Sequence, residues 1–240
     1  MPRPVLALLL LALMSGCASR PPLRPAAGGA PAPPPTPWSF APGEAPSQRL
    51  FRVQVRRGAE SGGLRLVLRL WSPVRFELAA SDPLGRPLWS LIARDERGAW
   101  RAAGAQGVCR QDPRRPVEWP RLGLALPAAH LPAILLGRLP EAPGDGTVIP
   151  AEAGSFAFTD PVGRRWRATL EAGTLVEWSV AAATGELAWR LEERGARLEL
   201  AAGQLEIRWR EVAREPLRGT APVLPADLDS SPECSLENLS

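Results

Sequence analysis

Apolar and polar residues alternate almost one for one through the middle of this 240-residue chain. Phe51, Val53 and Val55 alternate with Arg52, Gln54 and Arg56. Leu66, Leu68 and Leu70 alternate with Arg65, Val67 and Arg69, and Phe76 and Leu78 flank Glu77. Near the end, Leu205, Ile207 and Trp209 alternate with Glu206, Arg208 and Arg210. A period of two with one apolar face is the mark of half-buried antiparallel strands. Glycines recur at short spacing between these runs, among them Gly62, Gly85, Gly98, Gly163, Gly173, Gly185, Gly195 and Gly203. The expected fold is mainly β: one curved antiparallel sheet forming an open half-barrel. Residues 128–136, ended by Gly137, break the pattern and predict a short buried helix, with Pro132 confined to its first turn. Such a helix buries itself only against the concave face, as a lid or plug. Incomplete packing there would leave an apolar cavity.

The first seventeen residues carry a second strong constraint. Arg3 gives a positive start, Val5 to Leu13 are apolar, and Ser15 and Gly16 are small residues just before Cys17. The apolar run is too short to span a bilayer as a helix. The arrangement resembles a bacterial lipoprotein signal (Met14 stands where leucine is usual), in which Cys17 is acylated and becomes the mature N-terminus. Ten prolines follow between Pro21 and Pro46. A stretch so rich in proline cannot bury a core and reads as a semi-rigid tether. The expected organisation is a signal over 1–16, a lipidated tether over 17–48, the β domain over 49–218, and a polar, disordered tail over 219–240.

Charge and chemistry narrow the function classes. The formal net charge is +4, and every basic side chain is arginine. Those arginines alternate with leucines along strands instead of clustering, which argues against nucleic-acid binding. There is one histidine, His130, and it lies in the apolar helical segment, where a structural or capping role is the plain reading. Nucleophile elbows, zinc-helix motifs and phosphate loops are lacking, so no cofactor, no metal and no enzymatic activity are expected. Cys109 and Cys234 are too far apart for a local metal or redox motif. In an oxidising compartment they are either a disulfide that pins the tail or two free thiols. Most of the nine tryptophans fall in strand-like segments, where core packing explains them, though several indoles would also suit acyl chains.

Two segments share one turn chemistry: Asp82-Pro83-Leu84-Gly85 and Asp160-Pro161-Val162-Gly163. Asp first, proline second and glycine fourth fit a type I turn. Leu84 then sits at the outer tip of a hairpin, where a polar residue is the usual occupant.

With these residues in view, the chain resembles the LolB family of lipoprotein receptors within the LolA/LolB-like lipoprotein-localisation proteins. The likeness rests on the lipoprotein signal, on the run from Phe76 through Asp82-Pro83-Leu84-Gly85, on Leu135-Leu136-Gly137-Arg138-Leu139-Pro140, and on the terminal strand from Gln204 to Val212. The family's leading amphipathic helix has no counterpart before the first strand here. The resemblance implies an open β-barrel closed by helices around an acyl-binding cavity. It implies that Leu84, held by Pro83 and Gly85, is a membrane-delivery tip. Leu66, Leu68, Leu70, Phe76, Leu78, Ile134, Leu135, Trp178, Ile207 and Trp209 are the candidate cavity lining. A monomer is expected, anchored on the periplasmic face of the outer membrane, taking lipoprotein acyl chains from a LolA-like periplasmic carrier. Two other readings remain open: an envelope assembly lipoprotein that binds a protein partner, and a carrier of another amphiphile such as a glycolipid.

Overall fold

The alternating runs become one sheet. The computed structural model describes residues 45–105, 107–119, 124–144, 147–151, 154–182, 185–200 and 204–234. The leader, Cys17 and the tether up to residue 44 lie outside the described residues. In chain order the first strands are β1 (Ser47–Arg57), β2 (Glu60–Ser72), β3 (Arg75–Ser81), β4 (Pro87–Arg94), β5 (Arg97–Ala102) and β6 (Cys109–Gln111). A small separate hairpin, β7 (Pro116–Trp119) and β8 (Leu124–Pro127), leads into helix α1 (His130–Leu135). Then come β9 (Val148–Pro150), β10 (Ser155–Thr159), β11 (Arg165–Glu171), β12 (Thr174–Ala182), β13 (Gly185–Glu192), β14 (Gly195–Leu200) and β15 (Leu205–Pro216).

The thirteen strands of the main sheet lie in the order β6-β5-β4-β3-β2-β1-β15-β14-β13-β12-β11-β10-β9, antiparallel throughout. Two meanders, one at each end of the chain, are joined where β1 pairs with β15. This is the single, curved, open antiparallel sheet that the alternation demands. Its apolar set shares one face: Phe51 and Val53 of β1, Leu68 and Leu70 of β2, Phe76 and Leu78 of β3, and Trp209 of β15 are all buried. Prolines fall where a missing N–H does least harm, at the start of β4 and in the edge strand β9.

Helix α1 is shorter than the segment that predicts it and packs on the core through Ala133, Ile134 and Leu135. Its end is set by Gly137, at φ +68°, with Arg138 N–H donating to Ala133 O at 2.8 Å and Gly137 N–H to Ile134 O at 3.1 Å. That reciprocal pair closes the last helical carbonyls. A Cβ on Gly137 would also meet the Trp189 ring at 3.3 Å. Gly137→Ala is therefore expected to lower stability by about 1 kcal/mol or more, from the positive φ alone. An unchanged thermal midpoint would show that the turn relaxes freely.

The C-terminal segment differs from the disordered tail expected over 219–240. Residues 219–234 run as a strap to the β6 edge. Leu228, in a 3-10 turn over Leu228–Ser230, is fully buried. Arg110 N–H donates to Pro232 O at 2.7 Å and Cys234 N–H to Arg110 O at 2.9 Å, adding a short parallel bridge to β6. Cys109 and Cys234 form a disulfide. One buried leucine, one cross-link and a backbone edge to pair with are enough to order a polar sequence, and the strap covers a sheet edge that would otherwise be open to other chains.

Candidate functional site

The concave face beneath α1 is the place where the apolar residues converge. Across β10 to β13 an aromatic ladder runs Phe156, Phe158, Trp166, Trp178, Trp189, with successive ring centroids 6.3, 5.9, 5.3 and 6.4 Å apart. Strand register produces it: Phe158 lies opposite Trp166, and Trp178 opposite Trp189. Trp189 backs the end of α1 at Gly137, and Trp209 Nε1 donates to Leu135 O at 3.2 Å, tying the helix to the middle of the sheet. The three ladder indoles differ in one respect. Trp166 Nε1 donates to Asp160 Oδ2 at 3.0 Å, whereas Trp178 Nε1 and Trp189 Nε1 are buried and have no acceptor among the described residues. Buried indole donors of this kind are ready to bond an acceptor that enters beside them.

Eight of the ten candidate lining residues belong to this face, and Ile134 and Leu135 to α1 above it. Leu68, Leu70, Phe76, Leu78, Ile134, Trp178 and Trp209 are buried in one cluster, with Leu66, Leu135 and Ile207 packed against it. Instead of lining a cavity, they pack against one another in the structure, and none of them lines either of two clefts found at the surface. One cleft, of 650 Å³, is polar and lies on the other face between Gln48, Arg69, Trp71 and Glu77 and the start of the strap. The second, of 470 Å³, lies along Gln54, Arg56, Ser61, Glu206 and Arg208.

Asp82-Pro83-Leu84-Gly85 forms the tight hairpin turn between β3 and β4. Gly85 N–H donates to Asp82 O at 3.0 Å, and Asp82 Oδ1 accepts from Leu84 N–H and Arg86 N–H, each at 2.9 Å. Gly85, at φ +87°, takes a conformation that side chains disfavour. Leu84 is 81% exposed. The β10–β11 turn repeats this arrangement: Asp160 Oδ1 accepts from Val162 N–H and Arg164 N–H, and Val162 is 74% exposed. Both aspartates are held below the usual carboxylate range. Burial pushes each upward, but hydrogen bonds and the arginine four residues on outweigh it, with the Trp166 indole adding to them at Asp160.

From Asp160 a polar network reaches α1. Arg164 donates through Nε to Asp160 Oδ2 at 2.6 Å and through Nη2 to Glu141 Oε1 at 3.2 Å, and Glu141 Oε1 lies 2.7 Å from His130 Nε2. His130 thus serves a structural role at the start of the helix. Among the described residues no group of His, Cys, Asp and Glu could hold a metal ion, and no helix is long and apolar enough to cross a membrane. Sequence reasoning missed the ladder, because alternation marks each aromatic as inward without saying which stand side by side. It also missed Glu141, which has no local signal at all.

No family model matches the chain, and no curated protein matches it. Among solved structures it is similar to a LolA superfamily protein from Nitrosomonas europaea, with 8% identity over 78% of this chain and 90% of that one, and a TM-score of 0.46. It is also similar to a putative outer membrane lipoprotein-sorting protein domain from Vibrio parahaemolyticus, with 12% identity, the same coverage of both chains, and a TM-score of 0.34.

Proposed function

We propose that this chain is a lipid-anchored outer-membrane protein that accepts lipoprotein acyl chains from a periplasmic carrier and releases them into the membrane. The observation that carries the reading is the apolar concave face beneath a six-residue helix, with the Trp178 and Trp189 N–H groups left without acceptors. Displacing α1 would expose leucine, phenylalanine and indole surface that suits hydrocarbon chains. An ester or amide carbonyl at the head of such a chain would give the two indoles their missing acceptors. Transfer needs no cofactor, since apolar burial at roughly 25 cal/mol per Å² can drive it in either direction. The lipoprotein-type signal at Cys17 supplies the anchor, and Leu84 supplies an apolar tip for delivery.

An environment-sensitive fatty-acyl probe is expected to bind the mature chain and to be displaced by a lipidated peptide but not by its unlipidated form. Leu84→Glu should leave this binding and the folding midpoint unchanged, because the side chain is exposed. Delivery of bound lipopeptide into vesicles should then fail. A chain that binds no acyl probe defeats the reading and favours the assembly lipoprotein. A chain that prefers a glycolipid over the lipopeptide favours the amphiphile carrier.

A further inference from the structure

The two repeated turns leave the sheet from the same end. From β3 to β10 the strand order passes through eight antiparallel steps, so these two strands run in the same direction, and the turns that follow them leave the same end of the sheet. One presents Pro83-Leu84 and the other Pro161-Val162, each with its aliphatic tip in solvent. Nothing in the fold needs an aliphatic residue at either tip, since the aspartate and the positive-φ glycine make the turn by themselves. The charges at both turns are neutralised within them, Asp82 by Arg86 and Asp160 by Arg164.

The two ends of the sheet differ in polarity. Among the described residues, the other turns at this end have Gly58-Ala59, flanked by the opposite charges of Arg57 and Glu60, and Ala103-Gly104 at their tips. At the opposite end the described tips are Pro73-Val74, Asp95-Glu96, Ala172-Gly173 and Glu193-Arg194, so a single aliphatic tip there sits among charged ones. The second apolar turn is also braced. Gly144 N–H donates to Thr159 O at 2.8 Å, and a Cβ on Gly144 would fall 2.8 Å from Pro161 backbone, so the 140–144 segment backs directly onto the turn.

We propose that this end docks on a lipid bilayer through two uncharged tips, Leu84 and Val162, and not through one. The inference rests on the membrane-delivery reading above and deepens it by assigning a second contact. A bilayer suits the surface better than a water-filled groove: uncharged tips can enter the interface without desolvating an ion. The chain outside the structure is long enough to permit the contact. Strand β1 runs parallel to β3, so Ser47 enters at the opposite end, about 35 Å of strand from the far end of β1. The 29 residues between Cys17 and Ser47 have a contour length of about 100 Å at most. An anchor at Cys17 and both tips can therefore reach one membrane.

The test is sedimentation of the mature chain from residue 17, carrying Cys17→Ala, with phosphatidylcholine–phosphatidylglycerol vesicles, alongside acyl-probe binding by the same samples. The parent should partition onto vesicles. Leu84→Glu and Val162→Glu should each weaken partitioning about tenfold or more, the scale of burying one aliphatic side chain. Val162→Leu should bind at least as tightly as the parent. Val74→Glu alters a half-exposed valine at the charged end and should bind as the parent does. Should Val162→Glu fail to fold, Val162→Ser removes the apolar tip without a charge and should weaken binding in the same direction. Loss at Leu84 with none at Val162 overturns the two-tip dock. Equal loss at Val74 overturns the assignment of the end. A parent that ignores vesicles overturns the bilayer and leaves a protein partner for this end. Loss at both tips in a chain that binds no acyl probe would sustain the dock and defeat the delivery reading; acyl binding with vesicle binding indifferent to Val162 would do the reverse.

Discussion

Asp160→Ala is expected to lower the unfolding free energy by about 3 kcal/mol, the scale of breaking a buried charged hydrogen-bond network. Its side chain accepts the Trp166 indole, two backbone N–H groups and the Arg164 guanidinium, and is itself fully buried. Removing it strands all of these donors beside the middle of the aromatic ladder. For a domain of this size the thermal midpoint should fall by roughly 6–12 °C. Asp82→Ala removes the equivalent acceptor from an exposed turn, where water can replace it, and should move the midpoint far less. The depressed carboxyl of Asp160 also makes stability depend on pH. Its folded value lies below the ordinary one, so its contribution is fully present above about pH 4 and is lost as pH falls through the folded value. Acid unfolding should therefore be less steep in Asp160→Ala than in the parent. Equal midpoints for the two alanine variants would mean that burial of the second turn adds nothing.

Replacing Cys109 and Cys234 together by alanine should cost still more. The cross-link closes a separation of 125 residues, and chain entropy assigns such a loop up to about 5 kcal/mol. Denaturant midpoints should drop accordingly. The local effect is the sharper one: the amides of Arg110 and Cys234, which tie the strap to β6, should lose hydrogen-exchange protection well before the central strands β1 and β15. Protection at Arg110 equal to that of the parent would show that Leu228 and the Arg97–Asp229 pair hold the strap without the disulfide.

What the sequence determined by itself was whatever depends on neighbours a few residues away. Alternation at β1, β2 and β15 specified strands and an inward face, because successive side chains must point to opposite sides of a sheet. Asp-Pro-x-Gly specified both hairpin turns, and Gly137 the end of α1, since the hydrogen bonds involved close within five residues. Tertiary structure decided everything that depends on which strand lies beside which. Register placed Trp166, Trp178 and Trp189 in one ladder, and strand parity brought Leu84 and Val162 to the same end. Two turns of the same local design became unequal because only Asp160 is covered, by Trp166, Arg164 and the 140–144 segment. The tail read as disordered from its polar composition, yet 219–234 is held by contacts made more than a hundred residues away. Those contacts are pairings between distant segments, so they have no period and no local motif, and only the assembled sheet brings them into being.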